Sequence, residues 1–395
     1  MCHVVKVSGP PGTGKTTTII DTIKVALGKG IAPEEIAFVS LTNKSINVAL
    51  ERVKKTFGEE IANRCINFKT LHSFTTTAAK QSKYRIASIE DYAELLAFLK
   101  SMGFLQKVRD LAWVDPEDGK AKRAWQLESM QFHKTIETDF RTGYFKYVED
   151  RGWKEDEKYF DYVKRIKSLV DTWKEAKLVA EFEDVIANFN EYGHEECDQF
   201  EVVFVDEAQD LTPDQWTTIE RLKEKCNHLY IFGDVNQSIY RFAGVDTQRY
   251  LGFEADEEHG LAKTWRFGDK IRDKALGHLG DYNLDKREYA GAAEIRSYVH
   301  GHMNGEKLDK QIARYEALGK TVMILAPTRF QLPHIDKERK LISTSTIHKA
   351  KGGEWDVVVF INSFGKNWAN TPKDEIERIR YVARTRARRV LIEQY

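Results

Sequence analysis

Nine residues near the start of the chain, Ser8-Gly9-Pro10-Pro11-Gly12-Thr13-Gly14-Lys15-Thr16, limit most sharply what the rest can fold into. The apolar run His3-Val4-Val5-Lys6-Val7 reads as a buried strand leading in, and Ile19, Ile20, Ile23 and Leu27 recur at helical spacing behind it. Glycines at a strand-to-helix turn let successive backbone N–H groups point inward around phosphate oxygens, helped by the positive end of the following helix. The pattern G-x-x-x-x-G-K-[ST] is met by Gly9, Gly14, Lys15 and Thr16. In that frame Lys15 is expected to reach the β- and γ-phosphates, and the Thr16 hydroxyl to ligate Mg²⁺. The expectation is a nucleoside triphosphate site with its Mg²⁺, set in an α/β domain.

The chain of 395 residues is long enough for two or three domains. Lys+Arg and Asp+Glu both number 61, so no global field draws in nucleic acid and any such site must be a local groove. Cys2, Cys65, Cys197 and Cys226 are far apart in sequence and form no C-x-x-C pair, which argues against zinc or iron–sulfur and fits a reducing cytosol. With no signal-peptide pattern and no apolar run of membrane-spanning length, a cytoplasmic location and no membrane partner are expected.

Further on, Ile36–Ser40 reads as a second strand, and Ile46, Leu50, Val53 and Phe57 mark one face of the next helix. Between them lies the polar loop Leu41-Thr42-Asn43-Lys44, and Asn67–Phe74 repeats the plan; either loop alone reads as ordinary helix capping. From about Lys80 to Lys177 strand-like runs vanish. Aromatics become frequent there (Trp113, Trp125, Phe132, Phe140, Tyr144, Phe145, Trp153, Tyr159, Phe160, Trp173), and Tyr92, Leu95, Leu96 and Leu99 recur at helical spacing. Such residues read first as the core of a helical insertion, and secondarily as a stacking surface for bases.

Strands return at Glu201–Val205, which ends in Asp206-Glu207-Ala208-Gln209-Asp210. Two carboxylates at the end of an apolar strand complete an ATPase site: Asp206 for Mg²⁺, Glu207 to position and deprotonate the attacking water. Leu229–Phe232 runs into Gly233-Asp234-Val235-Asn236-Gln237-Ser238-Ile239-Tyr240, where Gln237 is placed to sense the γ-phosphate. A second run of strands follows at Thr321–Leu325, Val357–Ile361 and Arg389–Ile392, which means a second parallel α/β sheet. The arginine-rich stretch Arg378–Arg386 reads either as a solvated helix face or as arginines acting on the γ-phosphate from across a cleft.

In this order the segments resemble the superfamily 1 DNA helicases of the UvrD/Rep/PcrA type (SF1A). The phosphate loop is similar to motif I, Leu41-Thr42-Asn43-Lys44 to motif Ia, and Thr70-Leu71-His72-Ser73 to the T-x-H-S segment. Asp206–Asp210 resembles motif II, Gly233–Tyr240 motif III, Trp265-Arg266 motif IV, Thr346–Asp356 motif V and Tyr381–Ala387 motif VI. The resemblance implies two RecA-like P-loop NTPase domains, parallel sheets flanked by helices, with a helical 1B-type insertion in the first. The expected boundaries are 1–79 with 179–264 for the first domain, 80–178 for the insertion and 265–395 for the second. It further implies ATP in the cleft, held by Gly9, Pro10, Pro11, Gly12, Thr13, Gly14, Lys15, Thr16 and Thr17. Arg266 and Arg386 are then arginine fingers, Trp265 stacks on the adenine and Glu354 contacts the ribose. Single-stranded DNA, or a single-to-double-strand junction, would cross Thr42, Asn43, His72, Tyr240, Phe242 and His348.

The implied activity is a single-stranded DNA translocase and helicase moving 3′ to 5′. The alternatives are a translocase that strips proteins with little unwinding, and a P-loop switch ATPase with a protein partner. RNA as the track stays open, because backbone and stacking contacts need not read the 2′-OH. Four departures from the family accompany the match. Only seven residues precede Ser8, so the family's adenine-reading glutamine segment, and with it selectivity for adenine, is not expected. Thr17 stands where relatives have arginine, Ala243-Gly244-Val245 replaces R-G-A, and no 2B subdomain separates Arg329 from motif V.

Overall fold

Strands buried on both faces read as near-continuous apolar runs, and those runs form the centre of both sheets here. The computed structural model describes residues 2–78, 84–114, 121–154, 156–285, 287–303, 305–336, 338–365, 368–369 and 371–395. The first sheet consists of β1 (His3–Ser8), β2 (Ile36–Ser40), β3 (Phe68–Thr70), β4 (Phe200–Val205), β5 (Cys226–Gly233) and β6 (Glu257–Gly260). They lie in the order β6-β1-β5-β4-β2-β3, every pair parallel. Helices α1 (Lys15–Gly28) and α2 (Asn43–Phe57) cover one face. Their Ile19, Ile23, Ile46 and Val53 pack on Val5, Val7, Phe38, Phe204 and Phe232. Helix α3 (Leu71–Ala78) starts the cover of the other face.

The insertion is mostly helical: α4 (Ile89–Ser101), α5 (Trp125–Thr135), α6 (Phe140–Asp150) and α7 (Glu157–Lys177). Its core takes Tyr92, Leu95, Leu99, Tyr144, Phe160 and Trp173, whereas Trp113 and Trp153 remain exposed. Strand pairing is not absent from it, contrary to the sequence reading. Ala112–Val114 and Ala121–Arg123 form a two-stranded antiparallel piece, and Arg85–Ile86 pairs in parallel with Val179–Ala180 where the chain enters and leaves. These pieces are two or three residues long, too short to leave a period in the sequence. The expected boundary at 79/80 falls among residues 79–83, outside the described residues.

Helices α8 (Phe182–Glu191) and α9 (Pro213–Lys223) finish the first unit. Phe189, Trp216, Ile219 and Leu222 join Phe74 of α3 against Val4, Val39, Val203 and Leu229. The second sheet is again all parallel: β7 (Tyr298–His300), β8 (Val322–Ala326), β9 (Ile342–Thr346), β10 (Trp355–Ile361) and β11 (Ala387–Gln394), in the order β7-β11-β10-β8-β9. Helices α10 (Asp269–Leu279) and α12 (Lys373–Arg384) pack Ile271, Ile379, Val382 and Ala383 on one face, and α11 (Gly305–Ala317) packs Leu308 and Ile312 on the other. Ile239, carried by the loop after β5, is fully buried in the core of this second unit, so the two units share a seam. Among the described residues no helix is long and apolar enough to cross a membrane.

Candidate active site at the seam between the two sheets

The phosphate loop continues the ladder of β1. The Gly9 N–H donates to the Gly233 carbonyl at 3.0 Å, and the chain then turns through Gly12 (φ +77°) and Gly14 (φ +96°), the N-cap of α1. Left-handed backbone costs an L side chain about 1–2 kcal/mol and glycine nothing, which is why glycine stands at both. The Thr13 hydroxyl bonds the Pro10 carbonyl at 2.8 Å, and Lys15 Nζ reaches back across the loop to the Gly9 carbonyl at 2.5 Å. Thr17 is exposed one residue past the loop, and Arg52 of α2 donates to its hydroxyl at 3.2 Å.

At the end of β4 the Asp206 N–H bonds the Val39 carbonyl at 2.9 Å, and Glu207 adopts a left-handed conformation (φ 56°). A strained non-glycine residue of this kind marks a site whose surroundings hold it in place. Gln209 fixes it: its amide donates to Glu207 Oε2 at 2.6 Å while its carbonyl accepts from the Asp234 N–H at 2.9 Å. Burial, then the neighbouring Glu207, pushes the Asp206 carboxyl up to about 7, with Lys15 working against both. Burial would raise the half-buried Glu207 as well, yet Lys351 and Lys15 above all hold its carboxyl below the ordinary value. The two adjacent carboxyls are thus driven apart, and Glu207 is the one that stays ionised and able to accept a proton. Burial raises Asp210 and Asp234 to about 6 each. Among the described residues no three His, Cys, Asp or Glu side chains cluster as a metal site by themselves. Thr16 and Asp206 offer hard oxygen donors of the kind Mg²⁺ takes, and phosphate oxygens would complete the set.

The segment where the chain passes into the second unit, and then that unit itself, close against this surface. Thr264 donates to the Pro11 carbonyl at 2.7 Å and the Trp265 N–H to the Gly12 carbonyl at 2.8 Å. Arg386, 1% exposed, donates to Gln237 Oε1 at 2.7 Å, and Gln237 in turn bonds Asp234 at 2.9 Å. Burial and then the neighbouring Arg266 push Arg386 down to about 9, so it remains charged at neutral pH. Arg266 is ion-paired with Glu354 at 2.7 Å and bonds the Thr385 carbonyl at 3.2 Å; burial lowers it and Glu354 opposes that. Glu354 is shared with Arg388 at 3.0 Å, so its carboxylate bridges two arginines. Trp265 is 59% exposed, its ring covered by the Lys263 ammonium at 3.8 Å. The solvated-face reading of the arginine stretch does not survive. Arg378 and Arg384 are buried with Arg386, the first bonded to the Ser238 carbonyl at 2.9 Å and the second to Glu393 at 2.6 Å.

Beside the seam Tyr240, Phe242 and His348 meet as a cluster, with ring centroids 5.6 to 6.1 Å apart. His348 is anchored to the Ile239 carbonyl at 3.1 Å, and burial brings it down to about 4. Phe242 is 44% exposed. Thr42 and Asn43 are exposed at the start of α2, where Thr42 also caps the helix by accepting from the Ser45 N–H at 3.2 Å. His72 lies apart from that cluster in its contacts, against Phe182 at 5.0 Å, with burial lowering its pKa.

Three participants were not singled out from sequence. Lys351 pairs with Asp210, bonds the Gln237 carbonyl at 2.6 Å and carries part of the field on Glu207. Trp368 stacks on His348 at 6.2 Å with Phe364 at 5.2 Å beyond it, and Arg388 bridges to Glu354. Lys351 meets Asp210 across 141 positions, a pairing that spacing does not reveal. Trp368 has an aromatic side chain in a polar loop as its only signal.

Residues 1–258 match the UvrD/REP helicase N-terminal domain family, and residues 341–392 match the UvrD-like helicase C-terminal domain family. A Staphylococcus aureus protein named ATP-dependent DNA helicase PcrA is 23% identical over 262 residues, which is 62% of this chain and 33% of the relative. The Bacillus subtilis protein of that name is 27% identical over 257 residues, covering 62% and 32%. The chain thus spans about a third of the length of the curated relatives it matches. A solved chain titled "The structure of PRRSV helicase" superposes with a TM-score of 0.41 at 14% identity, covering 99% of this chain and 52% of that one, too loosely to bear on function.

Proposed function

The chain belongs to the UvrD/REP helicase family, and on that premise we propose that it hydrolyses ATP at the seam between its two sheets and moves along single-stranded DNA. The observation that carries the reading is convergence. The phosphate loop, Asp206 and Glu207 from the first unit face Arg266 and Arg386 from the second, with Gln237 hydrogen-bonded to Arg386 between them. The domains are taken as 1–79 with 179–264, an insertion at 80–178, and 265–395.

In this reading the loop amides and Lys15 hold the phosphates, and Thr16 and Asp206 hold Mg²⁺, which screens the charge of the triphosphate. Glu207, kept ionised by Lys351 and Lys15, takes the proton of the attacking water. Arg266 and Arg386 stabilise the charge that develops on the γ-phosphate, and Gln237 reports its presence to the loop bearing Tyr240 and Phe242. Trp265 offers its exposed face to the adenine, and Glu354 turns from its arginines to the ribose. Thr42, Asn43 and His72 hold the strand backbone, while Tyr240, Phe242 and His348 stack on bases without reading sequence. Because Ile239 and Tyr240 already lie against the second unit, a change at Gln237 alters the seam and the groove together. Movement 3′ to 5′, duplex unwinding and a cytoplasmic setting belong to the same proposal.

The test is the ATPase rate alone and with single-stranded DNA, RNA or blunt duplex. Stimulation by single-stranded DNA of tenfold or more is expected, which corresponds to about 1.4 kcal/mol off the activation barrier. Turnover indifferent to every polymer would refute the motor and leave a switch ATPase with a protein partner. Displacement of streptavidin without displacement of a DNA strand would confine it to translocation.

A further inference from the structure

At the opposite end of the first sheet from the phosphate loop, two cysteines separated by 224 positions meet. Cys2 Sγ lies 3.4 Å from Cys226 Sγ. The neighbouring strands fix the approach. β1 and β5 pair residue for residue from His3 opposite His228 to Ser8 opposite Gly233, and both thiols sit where that ladder begins. Cys226 is buried, while Cys2 is half-buried and open to solvent on one side. The contact makes the pair asymmetric. The hydrogen bond with Cys226 and the Lys223 ammonium hold the Cys2 thiol below its ordinary value, while that bond and burial push Cys226 up. At Cys65 burial and then Glu34 outweigh the Arg64 guanidinium and push the thiol up to about 11.

We propose that Cys2 and Cys226 are a reversible disulfide-forming site, oxidised by small-molecule disulfides of the glutathione class. In the first step the Cys2 thiolate attacks one sulfur of the external disulfide, forming a mixed disulfide and releasing one thiolate of the reagent. In the second the Cys226 sulfur, already in contact, loses its proton to water and attacks Cys2 Sγ, releasing the second reagent thiol. One external disulfide is reduced to two thiols, and two protein thiols become one disulfide. The bond ties the residue before β1 to the first residue of β5. It braces two neighbouring interior strands far from the ATP chemistry, closing a loop of more than half the chain.

The full-length protein is incubated with oxidised glutathione at neutral pH, then examined by intact mass, tryptic mapping, thermal melting and ATPase. Expected are a mass loss of two hydrogens and a cross-linked peptide joining the fragment ending at Lys6 to that spanning Cys226–Arg241. A melting temperature raised by several degrees and restored by dithiothreitol, with unchanged turnover, completes the expectation. Cys2→Ser, which leaves every residue of the ATP site in place, is expected to lose the cross-link and the melting shift and keep its activity. A stable glutathione adduct on Cys2 with no internal cross-link would overturn the proposal. So would a cross-link that persists in Cys2→Ser, or a cross-link without any gain in melting temperature.

Discussion

Gly12→Ala tests the seam at its tightest point. A methyl group built on Gly12 would lie 2.5 Å from Arg266 Cβ, 2.8 Å from Thr264 Oγ1 and 3.2 Å from the Arg266 backbone nitrogen. The backbone there has φ +77°, so alanine costs about 1–2 kcal/mol before any contact is counted. Cβ and amide atoms cannot swing away, so relief requires the loop and segment 264–266 to separate by on the order of 1 Å, the scale of misplacement that costs about a hundredfold in rate. That separation stretches the bonds from Thr264 to Pro11 and from Trp265 to Gly12, each contributing about 0.5–1.5 kcal/mol net. The closed arrangement therefore loses about 2–5 kcal/mol in all, and Arg266 moves with it. The expected result is a lowered melting temperature and a kcat down about a hundredfold, measured by calorimetry and coupled ATPase assay. Gly28→Ala is the control, because nothing lies within 4 Å of a Cβ there. A Gly12→Ala enzyme with kcat within about twofold of wild type would show that the contact plays no part in turnover.

Glu207→Gln keeps shape and removes the base, so nucleotide affinity should hold while hydrolysis collapses; near-parental hydrolysis would unseat Glu207 as the base. Arg386→Ala should lower kcat at least about a hundredfold and also the melting temperature, because it strips Gln237 of a buried partner. Phe242→Ala should weaken single-strand binding about tenfold by anisotropy with basal ATPase unchanged, whereas loss of melting temperature without loss of affinity would make it a packing residue. Burial raises Asp214 to about 7, so the protonated form favours the fold, and that stability is lost as pH climbs from the ordinary carboxylate value through 7. Asp214→Asn keeps the acceptor for Thr212 and the Gln215 N–H without the charge. It should be more stable than wild type at pH 8 by about 4 kcal/mol, the gap closing by pH 4 in denaturant titrations.

The central strands were legible because burial on both faces writes itself as an apolar run; Glu201–Val205 differs from β4 by one residue. Of the edge strands only β3 was, through Asn67-Phe68 in the repeated strand-and-loop plan. β9 reads Ile-Ser-Thr-Ser-Thr and β6 Glu-Glu-His-Gly, sequences with little or nothing apolar, held by backbone pairing to β8 and β1. The phosphate loop and the acidic strand end were legible for a different reason: few residue types can do that chemistry. What stayed hidden is what only folding creates. Lys351 against Asp210, Trp368 on His348 and Arg388 on Glu354 are pairings made when distant loops converge. The arginine stretch carried two readings in sequence, and burial decided between them.

The in-register ladder of β1 and β5 has a mechanical side. Load applied along either strand is shared by all the hydrogen bonds between them at once, as in a lap joint pulled in shear. The seam is built differently. Trp265, Lys351, Arg378 and Arg386 each hold by one or two bonds to the first unit, and a force that parts the units meets them in turn. On the proposed reading the frame has two stiff plates and a softer seam, so tension on a bound polymer would be taken up as opening between the plates, where the nucleotide chemistry would register it.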